Sequence, residues 1–117
     1  MNLKKQIREK FRNEVFKRAK YCCQFCGQQG QCRQTGEGYG KVELDAHHIR
    51  DRSEFRFGGY VKENGISLCD WCHNQAEKWH KDGIGAIGLL PDDLYRIIGS
   101  NFEKAKEQDE KQTDSNR

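Results

Sequence analysis

Two stretches of sequence decide the fold of this chain: residues 44–49 read LDAHHI, and residues 64–73 read NGISLCDWCH. Residues 41–48 first alternate apolar and polar side chains, which predicts a strand that ends near the histidine pair. Residues 66–68 predict a second short strand, because they lie between a turn signal and a cysteine pair. A helix is predicted from residue 70 or 71 to about 81. The organising unit is therefore strand, strand, helix.

Two C-x-x-C pairs frame this unit, at residues 23–26 and 69–72. Four thiolates on two tight turns match a closed, tetrahedral zinc site of the structural kind. A redox pair is disfavoured because there are two pairs and no βαβ pattern, and disulfides are disfavoured because no signal peptide is evident. The predicted ligands are Cys23, Cys26, Cys69 and Cys72. Cys22 and Cys32 are left over: either could be an inert buried thiol, and the alternative is that it is a zinc ligand.

Composition favours one small domain that needs a metal to stabilise it. The chain has 117 residues, of which only 34% are hydrophobic, so its core must be small. No stretch approaches the roughly 18 apolar residues of a membrane span. We therefore expect a cytoplasmic protein that does not enter a membrane.

Positive charge is concentrated at the start of the chain. The net charge is +3, but residues 1–20 carry eight basic side chains and two acidic ones. Apolar residues recur there at helical spacing, which predicts an amphipathic helix over 3–19. Its basic face could contact phosphates or could simply be solvated, and charge alone does not decide between them.

The predicted organisation has four parts. Residues 1–20 form the basic helix, 21–82 the core, 83–107 a C-terminal helical extension and 108–117 a disordered tail. The glycine- and glutamine-rich residues 27–40 are expected to form a flexible loop inside the core. In the extension a helix begins at Pro91. Its side chains predicted to pack inward are Leu94, Ile97 and Ile98.

The histidine pair lies where two imidazoles can reach one site, because the strand ends there. His73 directly follows a cysteine of the second pair, and Glu77 lies one helical turn further along the same face. With His47, these two residues would hold a divalent cation and leave coordination positions open, as a catalytic site requires. The alternative is that the histidines only cap or pack.

The segment resembles the HNH nuclease motif, a ββα-metal (His-Me finger) site. The resemblance rests on residues 46–49, on Gly58-Gly59, on residues 64–69 and on Cys72-His73. The pair at residues 23–26, followed by glycine, resembles the zinc-stabilised branch of small bacterial and phage proteins. The resemblance covers roughly residues 14–80. It implies an α+β fold, with a small ββα-metal domain and a four-cysteine zinc site flanked by N- and C-terminal helices.

The resemblance also implies roles. His48 would be the general base that activates water, and Asn64 would orient it by fixing the loop between the strands. His47 and His73 would hold the catalytic cation, Mg²⁺ or its substitutes Mn²⁺ and Ni²⁺, while Zn²⁺ is structural. The reaction implied is hydrolysis of a DNA phosphodiester that leaves a 5′-phosphate and a 3′-hydroxyl.

Several features of the motif leave alternatives open. Where many members have His or Asn four residues after the second ligand, this chain has Glu77, so the third ligand is undecided. His80 could touch the phosphate or lie idle on the surface. Further candidates for contacts with the nucleic-acid backbone are Arg50, Arg52 and Arg56. The substrate could be RNA, and the protein could act as a homodimer or within a larger phage or bacterial machine. The alternative to an enzyme is a non-catalytic zinc-stabilised module that binds nucleic acid or protein.

Overall fold

The computed structural model describes residues 3–115, with side chains described to residue 112. Two 3₁₀ turns, Arg52–Glu54 and Lys62–Asn64, lie between the second and third strands. The predicted α+β class is confirmed. The elements in chain order are α1 (Leu3–Ala19), β1 (Gly30–Cys32), β2 (Val42–His48), β3 (Gly65–Cys69), α2 (Asp70–Asp82), α3 (Pro91–Ile97) and α4 (Phe102–Ser115).

The three strands form one sheet with β2 in the centre. β2 and β3 are antiparallel, and their register pairs His47 with Ile66 and His48 with Gly65. β1 runs parallel to β2 on its other side. The prediction that residues 27–40 form only a flexible loop is wrong, because β1 lies within them. Its residues have little intrinsic strand preference, so the strand forms through its pairing with β2.

Helix α1 covers the sheet beside the histidine pair. Its buried side chains include Phe11, Val15 and Ala19, spaced four residues apart on one face, and this confirms the predicted amphipathic helix. The helix lies so close to β3 that a Cβ on Gly65 would come within 2.6 Å of the Phe11 ring. Glycine at this position therefore allows α1 to pack against the strand. The Arg18 guanidinium also donates a hydrogen bond to the Gly65 carbonyl.

Helix α2 follows β3 without a linker. Cys69 ends the strand and caps the helix, while Cys72 and Ala76 face the core. The helix ends at Asp82, one residue beyond the predicted end, and Gly83 caps it in the left-handed conformation. The second cysteine pair spans this junction, so the candidate zinc site and the start of α2 share Cys69 and Cys72.

The C-terminal helices differ from prediction in two ways. Leu94 is buried as expected, but Ile97 is 42% exposed, and Tyr95 is buried instead. The expected disordered tail from residue 108 is wrong for 108–115, which continue α4, whereas residues 116 and 117 lie outside the described range. The helix continues because the Asp109 side chain is buried against the loop between β2 and β3. None of the helices in residues 3–115 is long and apolar enough to cross a membrane.

Candidate active site and zinc site

The four predicted zinc ligands come together. Their sulfur atoms all lie within 4.8 Å of one another. Cys26 and Cys69, from the two different pairs, have their sulfurs 3.8 Å apart. Tetrahedral zinc with Zn–S bonds of about 2.3 Å places neighbouring sulfurs about 3.8 Å apart. The cluster therefore has the dimensions of a four-cysteine zinc site.

Backbone contacts hold the first cysteine pair against the sheet. The Gly27 amide donates to the Cys23 carbonyl at 2.8 Å, which closes the turn. Gln24 then pairs with Ser67 of β3 twice: its amide donates to the Ser67 carbonyl at 2.8 Å, and its side-chain Oε1 accepts from the Ser67 amide at 3.1 Å. Sequence reasoning misses Gln24, because no motif marks a residue that pairs with a strand 43 positions later.

Burial and neighbouring groups shift the pKa values of three of these thiols. Burial raises the pKa of Cys72 and the pKa of Cys69. Burial also acts to raise the pKa of Cys26, but hydrogen bonds from Gln28 outweigh it and lower the pKa to about 7. Coordinated thiols are deprotonated, so a bound Zn²⁺ reverses the cost of burying them. The two remaining cysteines lie outside the cluster, with the Cys22 sulfur near the Lys20 carbonyl and the Cys32 sulfur near Gln34.

A second cluster forms where the end of β2 meets α2. His47, His73 and Glu77 each offer a ligand atom within 4.8 Å of the others. Glu77 Oε1 lies 3.2 Å from His47 Nδ1 and 3.1 Å from His73 Nε2. An octahedral cation with bonds of about 2.1 Å needs adjacent donor atoms about 3 Å apart. His47 is buried, and its Nδ1 makes no well-aligned hydrogen bond to any described residue. The donor set and its spacing thus fit a divalent cation.

The groups around this cluster shift the pKa of each of its three residues. Burial lowers the pKa of His47, which keeps the ring neutral, as a ligand must be. The contact with His47 lowers the pKa of Glu77 to about 2, so its carboxylate is charged. Asp45 lies 3.4 Å from His73 Nδ1 and raises the pKa of His73, while Arg33 in turn holds Asp45 at 3.0 Å. Asp45, which Arg33 holds, thereby orients the His73 ring. No motif in the sequence marks Asp45 or Arg33.

His48 lines the same pocket as His47, His73 and Glu77, because β2 ends at this residue as predicted. Its ring stacks on Phe11 with the centroids 4.6 Å apart, and the edge of Tyr60 meets it at the same distance. Its Nε2 has no hydrogen-bond partner among the residues described. Burial, together with the neighbouring His47, lowers the pKa of His48 to about 4. The ring is therefore neutral at pH 7 and able to accept a proton.

Asn64 ties together the two ends of the loop between β2 and β3. Its Oδ1 accepts hydrogen bonds from the Arg50 amide at 3.1 Å and from the Tyr95 hydroxyl at 2.7 Å. Its Nδ2 donates to the carbonyls of Arg50 and Gly59, both at 3.2 Å. Gly59 has φ +68, and a Cβ there would meet the Phe55 ring at 2.6 Å, so glycine is required. These hydrogen bonds of the Asn64 side chain fix the backbone that follows His48.

Helix α4 holds the same loop from its other side. Asp109, which is buried, accepts hydrogen bonds from the Phe57 amide at 2.9 Å and from the Gly59 amide at 2.8 Å. Burial raises the pKa of Tyr95, so its hydroxyl remains a donor to Asn64. No sequence pattern marks Asp109 or Tyr95, because each contacts a residue far away along the chain.

The four predicted nucleic-acid contacts lie in different surroundings. His80 is not idle on the surface: its side chain is only 10% exposed and its Nδ1 lies 2.5 Å from Asp51. Arg50 is engaged with Glu54 and with the Phe102 ring. Arg52 borders the pocket, and Arg56 is exposed above the ring of Phe57.

The segment that carries these two clusters matches the model of a known protein family. Residues 23–78 match the family model described as HNH endonuclease. The chain contains an HNH domain. No curated protein and no solved structure matches the chain. At family level the HNH match indicates nuclease-type chemistry and binding of a divalent metal, although some HNH proteins are non-catalytic.

The matched HNH segment includes both metal clusters, His48 and Asn64, but not everything that touches them. Phe11 comes from α1, Tyr95 from α3 and Asp109 from α4, all outside residues 23–78. The flanking helices are therefore structural parts of the site in this chain.

Proposed function

We propose that this protein is a metal-dependent endonuclease that hydrolyses phosphodiester bonds of DNA. The observation that carries the proposal is the convergence of His47, His73 and Glu77 on one pocket that His48 also lines. A metal-ligand set with open positions beside a neutral imidazole is the arrangement that hydrolysis of a phosphodiester needs. The zinc site, whose thiols must stay reduced, agrees with a cytoplasmic location.

In the proposed reaction, His48 takes a proton from a water molecule as the water oxygen attacks phosphorus. The P–O3′ bond breaks on the opposite side, and the departing 3′-oxygen takes a proton from solvent, leaving a 5′-phosphate and a 3′-hydroxyl. When bound by His47, His73 and Glu77, Mg²⁺, Mn²⁺ or Ni²⁺ would stabilise the charge that develops on the phosphate and on the 3′-oxygen. Phe11 keeps the His48 ring in position, and Asn64 fixes the backbone that follows it.

One pocket of this kind cuts one strand. The expected first product from a supercoiled plasmid is therefore the nicked circle, and linear DNA would require two copies of the chain or two visits. The candidates for contacts with the nucleic acid stay Arg50, Arg52, Arg56 and His80, and of these Arg52 and His80 line the pocket.

The test compares wild-type protein with His48→Ala on supercoiled plasmid, single-stranded DNA and RNA, with Mg²⁺, Mn²⁺ or Ni²⁺ or with no added cation. We expect nicking that requires the cation and falls by roughly 10²–10⁴-fold in His48→Ala, because the general base is lost. Zinc content and circular dichroism should be unchanged in the variant. Equal cleavage by both proteins, purified in the same way, would remove His48 as the base. Binding without cleavage by the wild type would favour the non-catalytic module instead, and preferential cutting of RNA would change the substrate.

A further inference from the structure

The positive charge of this chain lies mainly on α1. Helix Leu3–Ala19 carries seven lysines and arginines against two glutamates, whereas the whole chain has a net charge of only +3. The buried side of α1 contacts the active site through Phe11, which stacks on His48. The exposed side of the same helix therefore places basic groups close to the catalytic pocket.

A continuous path connects the pocket with that basic side. The catalytic pocket shares Arg52 and Tyr60 with a neighbouring depression of about 410 Å³, whose lining also includes Lys4 and Arg8. Lys4 and Arg8 also line a third depression, together with Lys5, Glu9 and Arg12. Each depression thus shares lining residues with the next, so an extended chain leaving His48 over Tyr60 can reach the outer face of α1.

Tyr60 lies at the junction of this path. The edge of its ring packs on His48 with the centroids 4.6 Å apart. Its hydroxyl accepts a hydrogen bond from Arg52 Nη1 at 2.9 Å, and the Arg8 guanidinium lies 5.6 Å from the ring centre. The aromatic ring thus holds two cationic side chains on the route that leads away from the catalytic histidine.

The basic residues of α1 are spaced to follow a polyanion. Lys5, Arg8 and Arg12 are separated by three and then four residues, so they lie on one face of the helix. The face carries one acidic residue, Glu9, and the cations outnumber it. A row of this kind suits successive backbone phosphates, which are contacted without regard to base sequence.

We infer that the nucleic-acid strand on one side of the scissile phosphate runs along this path, crossing Tyr60 and Arg52 and then lying on Lys5, Arg8 and Arg12. The inference rests on the proposed endonuclease function and assigns α1, which lies outside the HNH match, as its substrate-binding surface. The contacts supply affinity and position the strand, while the chemistry stays with His48 and the cation ligands.

The test uses two full-length variants that lose the same charge. The path variant is Lys5→Gln, Arg8→Gln and Arg12→Gln; the control variant is Lys17→Gln, Lys20→Gln and Lys41→Gln, all exposed and away from the path. Glutamine has nearly the helix preference of lysine and arginine, so α1 should persist in both. Arg8→Gln alone provides a milder variant should the triple change lower the thermal unfolding temperature.

Binding of a fluorescent DNA strand to zinc-loaded protein is measured by anisotropy over a range of salt concentrations, without added divalent cation. We expect the path variant to bind roughly tenfold more weakly or worse. Its slope of log K against log salt should fall by about 2 to 3, because each removed cation leaves one phosphate without its partner on the protein. The control variant should change much less. Equal weakening in the two variants would overturn the path.

Hydrolysis of bis(p-nitrophenyl) phosphate separates binding from chemistry. This small diester needs the catalytic pocket but not the path, so the path variant, the control variant and the wild type should hydrolyse it at similar rates. A path variant that fails on this diester would place α1 in the pocket chemistry and overturn the inference. A wild type that cleaves neither DNA nor the diester would refute the endonuclease function, while the binding comparison would still decide whether α1 holds the strand.

Discussion

At the scale of single residues, Glu77 is the candidate ligand that distinguishes this site. Its carboxylate lies about equally close to His47 and His73, at 3.2 and 3.1 Å, and completes a set of two imidazoles and one carboxylate. Imidazole suits Ni²⁺ and Zn²⁺, whereas carboxylate and water suit Mg²⁺ and Mn²⁺. A set with both donor types should accept cations from both groups, and the residue at position 77 should tune the preference.

Replacing Glu77 by histidine therefore should change the cation preference rather than simply abolish activity. In Glu77→His the donor set becomes all nitrogen, so we expect the ratio of cleavage with Ni²⁺ to cleavage with Mg²⁺ to rise by about tenfold or more. The measurement is the initial rate of plasmid nicking across a cation series.

Lys78→His is the matched control for that experiment, because it adds an imidazole on the exposed side of the same helix. Its cation preference should equal that of the wild type. If Glu77→His also keeps the wild-type ratio, Glu77 does not bind the catalytic cation, and Asp45, which lies beside His73, becomes the next candidate.

At the scale of elements, helix α4 fixes the loop on which the active site depends. Asp109 accepts two backbone hydrogen bonds from that loop, and Gly59, which donates one of them, accepts another from Asn64. Asn64 in turn binds Arg50 and Tyr95. The chain of contacts runs from α4 and α3 to the residues that directly follow His48, so both helices support the catalytic strand.

Asp109→Asn should weaken this support. An amide in place of the carboxylate turns one acceptor into a donor that faces a buried N–H group, which costs about 1–3 kcal/mol of unfolding free energy. Urea denaturation followed by circular dichroism measures the loss. Glu110→Gln, a change at the exposed neighbouring position, should shift the free energy by less than about 0.5 kcal/mol. If the two variants unfold alike, the Asp109 contacts do not stabilise the fold.

A feature of this structure can be predicted from the sequence when the residues that determine it lie close together in the chain or in a motif of fixed spacing. α1 and α2 are predictable because their apolar residues recur within one helix. The two clusters of candidate metal ligands are predictable because motif spacing brings most of their residues into one strand–strand–helix unit. β1 escapes prediction since its formation depends on β2 rather than on its own residues. Tyr95 and Asp109 escape it because their partners lie 31 and 50 residues away, in segments without a periodic pattern.

At the scale of the whole molecule, the four-cysteine cluster joins parts of the chain that are far apart in sequence. Cys23 and Cys26 follow α1, whereas Cys69 and Cys72 form the junction of β3 and α2. The cluster thereby holds the basic helix, the sheet and the helix that carries His73 and Glu77 in one arrangement. The core is small, so a zinc ion bound by these four cysteines would supply much of the stability.

Loss of zinc should therefore unfold the domain, whereas loss of the catalytic cation should only stop cleavage. Zinc sites of this kind contribute about 10–16 kcal/mol in small finger peptides, which is as large as the total stability of about 5–15 kcal/mol typical of a domain. We expect one zinc per chain, and loss of both zinc and tertiary circular dichroism in Cys69→Ser. Cys22→Ser, a change outside the cluster, should keep both.

Dialysis that removes Mg²⁺ but leaves zinc should preserve the spectrum and abolish nicking. Protein purified without added metal that is folded yet contains no zinc would contradict the structural role of the four cysteines.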